Sequence, residues 1–176
     1  MAVGNLEFIK SASGTSVSSL DITDCFSADY DVYKVIQENY TPLSASSQSN
    51  IRLINSSGTV ISTSSYSNAS LFMQSYSYFV EDRRASSTLL VDGASNDQND
   101  TLGVGAVYYI FNPFSSSSYT FAISQLSFFN TGSGLDSRKG IGVLKTTDSI
   151  TGLQFISTGS ANITTNIRVF GLRVDS

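Results

Sequence analysis

Runs of β-branched and aromatic residues, each cut short by serine, glycine, asparagine or aspartate about every ten positions, most limit the folds open to this 176-residue chain. The runs suit a pleated, half-buried surface, and the interrupting clusters carry turn chemistry. A helix needs apolar positions three and four apart. The clearest early run, Tyr30 to Glu38, instead sets Tyr33 and Val35 against Val32, Lys34 and Ile36 at period two. Val32, Val35 and Ile36 are also β-branched, which disfavours helix. No long helix is defensible elsewhere, and the count of about eight to eleven strands predicts an all-β fold, an antiparallel, jelly-roll-like β-sandwich. The chain reads as one domain over residues 1–176, without internal repeat or linker composition, and residues 1–10 are a candidate N-terminal arm or edge strand.

In chain order, Leu6, Phe8 and Ile9 begin a first strand that "Ser-Ala-Ser-Gly-Thr" turns, and Val17, Leu20 and Ile22 lie in a second that ends near Asp24. After the Tyr30 to Glu38 strand, Asn39 to Asn50 contains Pro42 and four serines and reads as a loop. Ile51 and Leu53, with Val60 and Ile61, flank "Asn-Ser-Ser-Gly-Thr", a hairpin in which Gly58 is available for positive φ. The aromatic segment from Tyr66 holds a strand-like "Tyr-Ser-Tyr-Phe-Val". Glu81 to Arg84 then reads as a charged turn, Thr88 to Val91 as a strand and Asp92 to Asp100 as an exposed acidic loop. Val104 to Asn112 is an apolar β run stopped by Pro113, and Ser115 to Ser118 is a low-complexity loop. Tyr119 to Asn130 alternates Tyr, Phe and Ile with Thr, Ala and Ser as a long strand. Asn130 to Gly140 reads as a loop or arm, and Ile141 to Lys145 leads to the end of the domain.

The closing stretch, Ser149 to Val174, reads as a β-hairpin: Ile150 to Ser157 and Ile163 to Val174 are strands about turn chemistry at Gly159. Its "Gly-Leu-x-Phe … Gly-Ser-Ala-Asn-Ile … Ile-Arg-Val-Phe-Gly-Leu" resembles the final hairpin of a broad group of β-sandwich proteins from tailed-bacteriophage virions. Tyr30 to Gly58, with "Tyr-Asp-Val-Tyr-Lys-Val-Ile" and "Ile-Arg-Leu-Ile-Asn-Ser-Ser-Gly", is similar to the same group. The two blocks carry no catalytic motif, so the resemblance implies an architecture and a virion setting rather than a chemistry.

Only 14% of the residues are charged, against ~25% in ordinary soluble proteins, and serine fills roughly a fifth of the chain. A polar but weakly charged surface lacks the repulsion that keeps monomers apart and fits a packed assembly. The net charge of -4 argues against nucleic acid, which needs a basic stripe. Arg83–Arg84 and Arg138–Lys139 are the adjacent basic pairs, and both read as solvated charges. Cys25 is the one cysteine, so no intrachain disulfide forms, and it reads as a small buried hydrophobe. Residues 1–10 lack a signal-peptide pattern and no apolar run approaches a membrane span, which predicts synthesis in the host cytoplasm and no membrane partner.

Histidine is absent, which removes Ser-His-Asp and Cys-His triads and imidazole metal sites. Two carboxylate pairs, Asp29 with Asp31 and Glu81 with Asp82, are the available acid–base machinery and read as loop charges. Asp92, Asp97 and Asp100 beside Gly93 supply oxygen ligands for a Ca²⁺, but not at EF-hand spacing. No catalytic, cofactor-binding or metal residue is therefore assigned, and no cofactor. Tyr66, Tyr76, Tyr108 and Tyr109 are the aromatics whose exposure matters, because Tyr and Phe here serve either the core or contacts between subunits.

Taken with the resemblance, the expectation is a non-enzymatic virion protein, a capsid decoration (cement) protein held on the major capsid protein as a homo-oligomer, a trimer. The alternative is a tail fibre or knob, partnered by tail proteins, whose loops bind a host-surface glycan.

Overall fold

The structure is a computed structural model that describes residues 5–42, 47–77, 79–91, 93, 95–96, 104–130, 134–158 and 162–173. These residues form β1 (Asn5–Val17), β2 (Ser19–Ile22), β3 (Val32–Pro42), β4 (Ser47–Asn55), β5 (Tyr66–Gln74), β6 (Phe79–Ser87), the two-residue β7 (Ser95–Asn96), β8 (Val104–Phe111), β9 (Thr120–Asn130), β10 (Gly134–Leu144), β11 (Ile150–Thr158) and β12 (Ile163–Arg173). Every pairing is antiparallel. One sheet has eight strands in the order β1-β12-β3-β8-β9-β10-β5-β6, and the other four, β2-β11-β4-β7. The antiparallel all-β sandwich expected from the sequence is present, with its strands shared unequally between the sheets. Among the described residues no helix is long and apolar enough to cross a membrane.

Three of the connections that cross between the sheets lie side by side. β1 lies in the large sheet and β2 in the small one, with Ser16 at φ 54° near the corner; β3 leads into β4, and β11 into β12, in the same way. Because β12 pairs with β1 and β3 while β11 pairs with β2 and β4, the three crossings stack on one another. The closing stretch is thus an arch and not the hairpin its sequence suggests. In a hairpin the two strands share one sheet, whereas here the buried side chains of β11 (Leu153, Phe155) and β12 (Ile163, Ile167, Val169) line the core from opposite sheets. Both arrangements demand the same alternation, so periodicity cannot separate them. Within the small sheet, β2 runs so close to β11 at Gly152 that a Cβ there would lie 2.4 Å from the Ile22 carbonyl oxygen.

Between the sheets Tyr108 meets Phe155 edge-on at 5.9 Å, and Phe26 meets Tyr33 at 4.6 Å. A buried polar cluster ties four strands together. The Tyr108 hydroxyl donates to Gln37 Oε1 (3.0 Å), and Gln37 Nε2 donates to Ser49 Oγ (2.7 Å) and Thr165 Oγ1 (3.2 Å). Satisfied in this way, the amide specifies one register instead of costing the several kcal/mol of an unpaired polar group.

Several boundaries differ from the sequence reading. "Ser-Ala-Ser-Gly-Thr" does not turn the first strand: β1 runs through it, paired with β12, with register shifts at Phe8/Lys10 and Gly14/Val17. Residues 5–10 lie in that strand, at the edge of the large sheet. Asn39–Pro42 and Ser47–Asn50, expected as loop, complete β3 and β4, because β12 and β11 supply ladder partners for them. The expected hairpin about Gly58 (φ 78°) closes with the single bridge Ile54↔Val60, because Val91 and β7 take the rest of that edge of β4. The turn expected at Glu81 to Arg84 lies inside β6, the bend falling at residues 75–77. Thr88 to Val91 is not a strand and touches the small sheet through one bridge, Ile51↔Val91. Much of the expected Asn130 to Gly140 loop belongs to β10. Of the expected acidic loop at 92–100, residues 92, 94 and 97–100 lie outside the described ones.

Candidate functional site: the outer face of the large sheet

In β9 the usual alternation is inverted. Thr120, Ala122 and Ser124 are buried on the inner face, while Phe121 and Ile123 stand on the outer face 48% and 46% exposed. β10 repeats the pattern: Gly140 and Gly142 face inward, and Ile141 is 61% exposed. The cause lies on the inner side. Segment 88–91 crosses there so closely that a Cβ on Gly142 would sit 1.9 Å from the Leu90 carbonyl oxygen; at Gly140 the neighbouring strand crowds instead, with Ser124 Oγ 2.6 Å from where a Cβ would lie. Only small residues fit along Thr120 to Ser124 and Gly140 to Gly142, so the bulky side chains of these stretches are turned outward, while Leu126, Phe128 and Leu144 beyond them enter the core. Thr120 Oγ1 and Ser124 Oγ are buried without a hydrogen-bond partner among the described residues, so the inward polar phase is not favourable in itself.

Directly opposed residues of an antiparallel pair share a face, so the registers define this surface. One row reads Lys34, Tyr109, Ile123, Ile141, Ala69, Arg83 across β3, β8, β9, β10, β5 and β6. On one side of it lie Phe111, Phe121 and Val143, and on the other Val107, Gln125, Lys139, Leu71 and Glu81. Grooves of about 920, 480 and 350 Å³ run between these rows on the same face. The centre is apolar, and charge of both signs stands at the rim. An exposed apolar surface rimmed by polar groups marks an interaction face.

The residues singled out from the sequence are placed as follows. Neighbours on a strand point to opposite faces, so Glu81 faces out beside Leu71 while Asp82 faces in and pairs with Arg84 (2.7 Å). They form no carboxylate pair. The basic pairs divide in the same way: Arg83 and Lys139 face out, and Arg138 faces in, its guanidinium 5.4 Å from the Phe72 ring centroid. Asp29 accepts from Ser27 Oγ (2.9 Å), and both Asp29 and Asp31 are exposed. Asp92, Asp97 and Asp100 lie outside the described residues, among which no three acidic or cysteine side chains gather as a metal site would require.

Cys25 is buried and its thiol approaches the Ile22 carbonyl at 3.5 Å; burial pushes its pKa up to about 12, opposed by Lys10. That environment suppresses the thiolate a nucleophile needs. Tyr66 and Tyr108 are core residues. The Tyr66 hydroxyl donates to the Ile61 carbonyl (2.9 Å) and accepts from Leu53 N–H (3.1 Å), and burial raises its pKa to about 12. Tyr76 and Tyr109 are exposed, and Tyr109 belongs to the outer face. The sequence reading missed Phe121, Ile123 and Ile141 as surface residues. The signal available was the Thr-Ala-Ser phase of β9 and the glycine phase of β10, which mark the crowded side.

No protein-family model matches the chain, and no curated protein matches it. Among solved structures, an alginate lyase from Alteromonas sp. 272 superposes with TM-score 0.23 at 8% identity, covering 89% of this chain and 77% of that one. A family 18 polysaccharide lyase gives TM-score 0.18 at 8% identity, over 89% and 78%. Likeness at this level bears on neither ancestry nor activity.

Proposed function

We propose that this protein is a non-enzymatic structural component of a tailed-bacteriophage virion, a capsid decoration protein that binds the major capsid protein as a homo-oligomer and stabilises the head shell. The observation that carries this reading is the outer face of β9 and β10, where the bulky apolar side chains Phe121, Ile123 and Ile141 stand exposed and not in the core. The low charge of the chain supports it, because close packing of many copies meets little repulsion. So does the separation of the adjacent carboxylates and of the adjacent basic residues onto opposite faces, which suits binding better than acid–base chemistry. Binding energy is then the whole mechanism: apolar and aromatic area buried on assembly raises shell stability by mass action, and many weak contacts act together.

Antibody against this chain, imaged on intact particles by electron microscopy, tests the proposal. A regular coat over the head, with loss of head stability when the protein is stripped, is the expected result. Label confined to the tail replaces it with the tail-appendage reading, in which loops bind a host-surface glycan, and unlabelled particles end both.

A further inference from the structure

We infer that the outer face of β8, β9, β10 and β5 is covered by a second copy of this chain, packed face to face about a two-fold axis that passes between Ile123 and Ile141. The inference deepens the oligomer part of the proposed function and rests on it only in taking this face for an interface.

The first argument is area. The uncovered parts of Tyr109, Phe121, Ile123 and Ile141, with Val107, Phe111, Val143 and Leu71 around them, come to roughly 600 Å² when side chains of this size are near half exposed. A standard interface takes ~800 Å² from each partner, which the rim residues supply.

The second is charge. Lys34 on β3 and Glu81 on β6 stand on opposite sides of the apolar centre, five strand spacings of about 4.8 Å apart and one row out of line. The point midway between them falls between β9 and β10, at the middle of the patch. A two-fold axis lying in the face through that point, perpendicular to the line joining them, sets Lys34 of each copy against Glu81 of the other. The same rotation lays Lys139 opposite Gln125 and brings Arg83 to the Phe111 ring.

The third is that the sheet's edges are guarded and its face is not. β6 carries Glu81, Asp82, Arg83 and Arg84 in succession, and β1 is broken by two register shifts, the devices that prevent strand addition at an edge. Association is thereby directed to the face. A self-complementary face closes as a pair, which differs from the threefold assembly that the virion resemblance implies.

The test is the mass of the purified full chain in solution, by light scattering and sedimentation, alongside charge-reversal variants. At about 100 µM the chain is expected at twice 18.9 kDa. Ile123→Glu is expected to weaken the pair at least ~tenfold and Lys34→Glu by about tenfold, while Lys34→Glu with Glu81→Lys restores it to within about threefold. Ile123 and Glu81 are exposed and Lys34 is half-buried, and unchanged circular dichroism verifies that each variant folds. A mass of one chain or of three overturns the inference, as does an Ile123→Glu variant that pairs like the parent. A double variant no tighter than Lys34→Glu alone overturns the two-fold arrangement. Particle labelling is a separate measurement, so failure of the pair and failure of the virion assignment are read independently.

Discussion

Gly142 shows how one residue sets the character of two faces. Its hydrogen is the only substituent that fits against the Leu90 carbonyl, and that closeness leaves the bulk of this stretch of β10, Ile141 and Val143, on the other side. Gly142→Ala is expected to cost about 3 kcal/mol or more, because backbone must move. Gly105→Ala, where a Cβ meets nothing within 4 Å, is expected to change stability by less than ~0.5 kcal/mol. Urea denaturation of the two variants checks the contrast. The buried Cys25 thiol and Tyr66 hydroxyl set a pH limit. Both hold their protons more tightly in the folded chain, rising from 9.0 and 10.0 respectively to about 12. The stability this represents is complete below pH 9 and is lost as pH rises from about 9 towards 12, the unfolded chain releasing its protons first. The urea midpoint is therefore expected to fall steeply between pH 9 and 11, and Cys25→Ala with Tyr66→Phe to flatten that fall; a midpoint unchanged to pH 11 would falsify the assignment. The burial of these residues was partly legible, Cys25 being read as a small buried hydrophobe. Which tyrosines reach solvent was not legible, since Tyr108 and Tyr109 are neighbours on one strand with opposite fates.

At the level of the element, β6 is the strand that local chemistry hides best. Glu81 to Arg84 looks like a charged turn, yet it pairs with β5 and forms the sheet's outer edge. Its charges do the work of an edge, repelling strand addition by a neighbour. Replacing Glu81, Asp82, Arg83 and Arg84 together by threonine and valine is expected to leave the β signal in circular dichroism intact while producing thioflavin-positive aggregates within hours at 37 °C. A variant that stays dispersed under those conditions assigns the charges another role. β9 was legible as a long strand from its alternation, but the direction of the alternation was not. A period of two says that faces differ and does not say which is inside.

For the whole molecule, the stacked arches place β1 beside β12, so Asn5 pairs with Arg173 across nearly the full chain. Loops of that length must close before their contacts stabilise anything, and folding is expected to be slow, on the order of milliseconds to seconds. Stopped-flow refolding checks this; a microsecond phase carrying the full amplitude would contradict the topology. The sequence by itself determined the all-β class, most of the strands and the period-two alternation of β3, whose Tyr33 and Val35 share the buried face. These are local properties, set by β-branching, turn chemistry and period two within a few residues. Tertiary structure decided which strands share a sheet, and so turned the expected closing hairpin into an arch. It also decided which face of β9 and β10 is covered, because that depends on where segment 88–91 crosses, some thirty to fifty residues away in the chain. Alternation is unchanged when a strand is turned over; only the backbone packed against it sets which phase meets water.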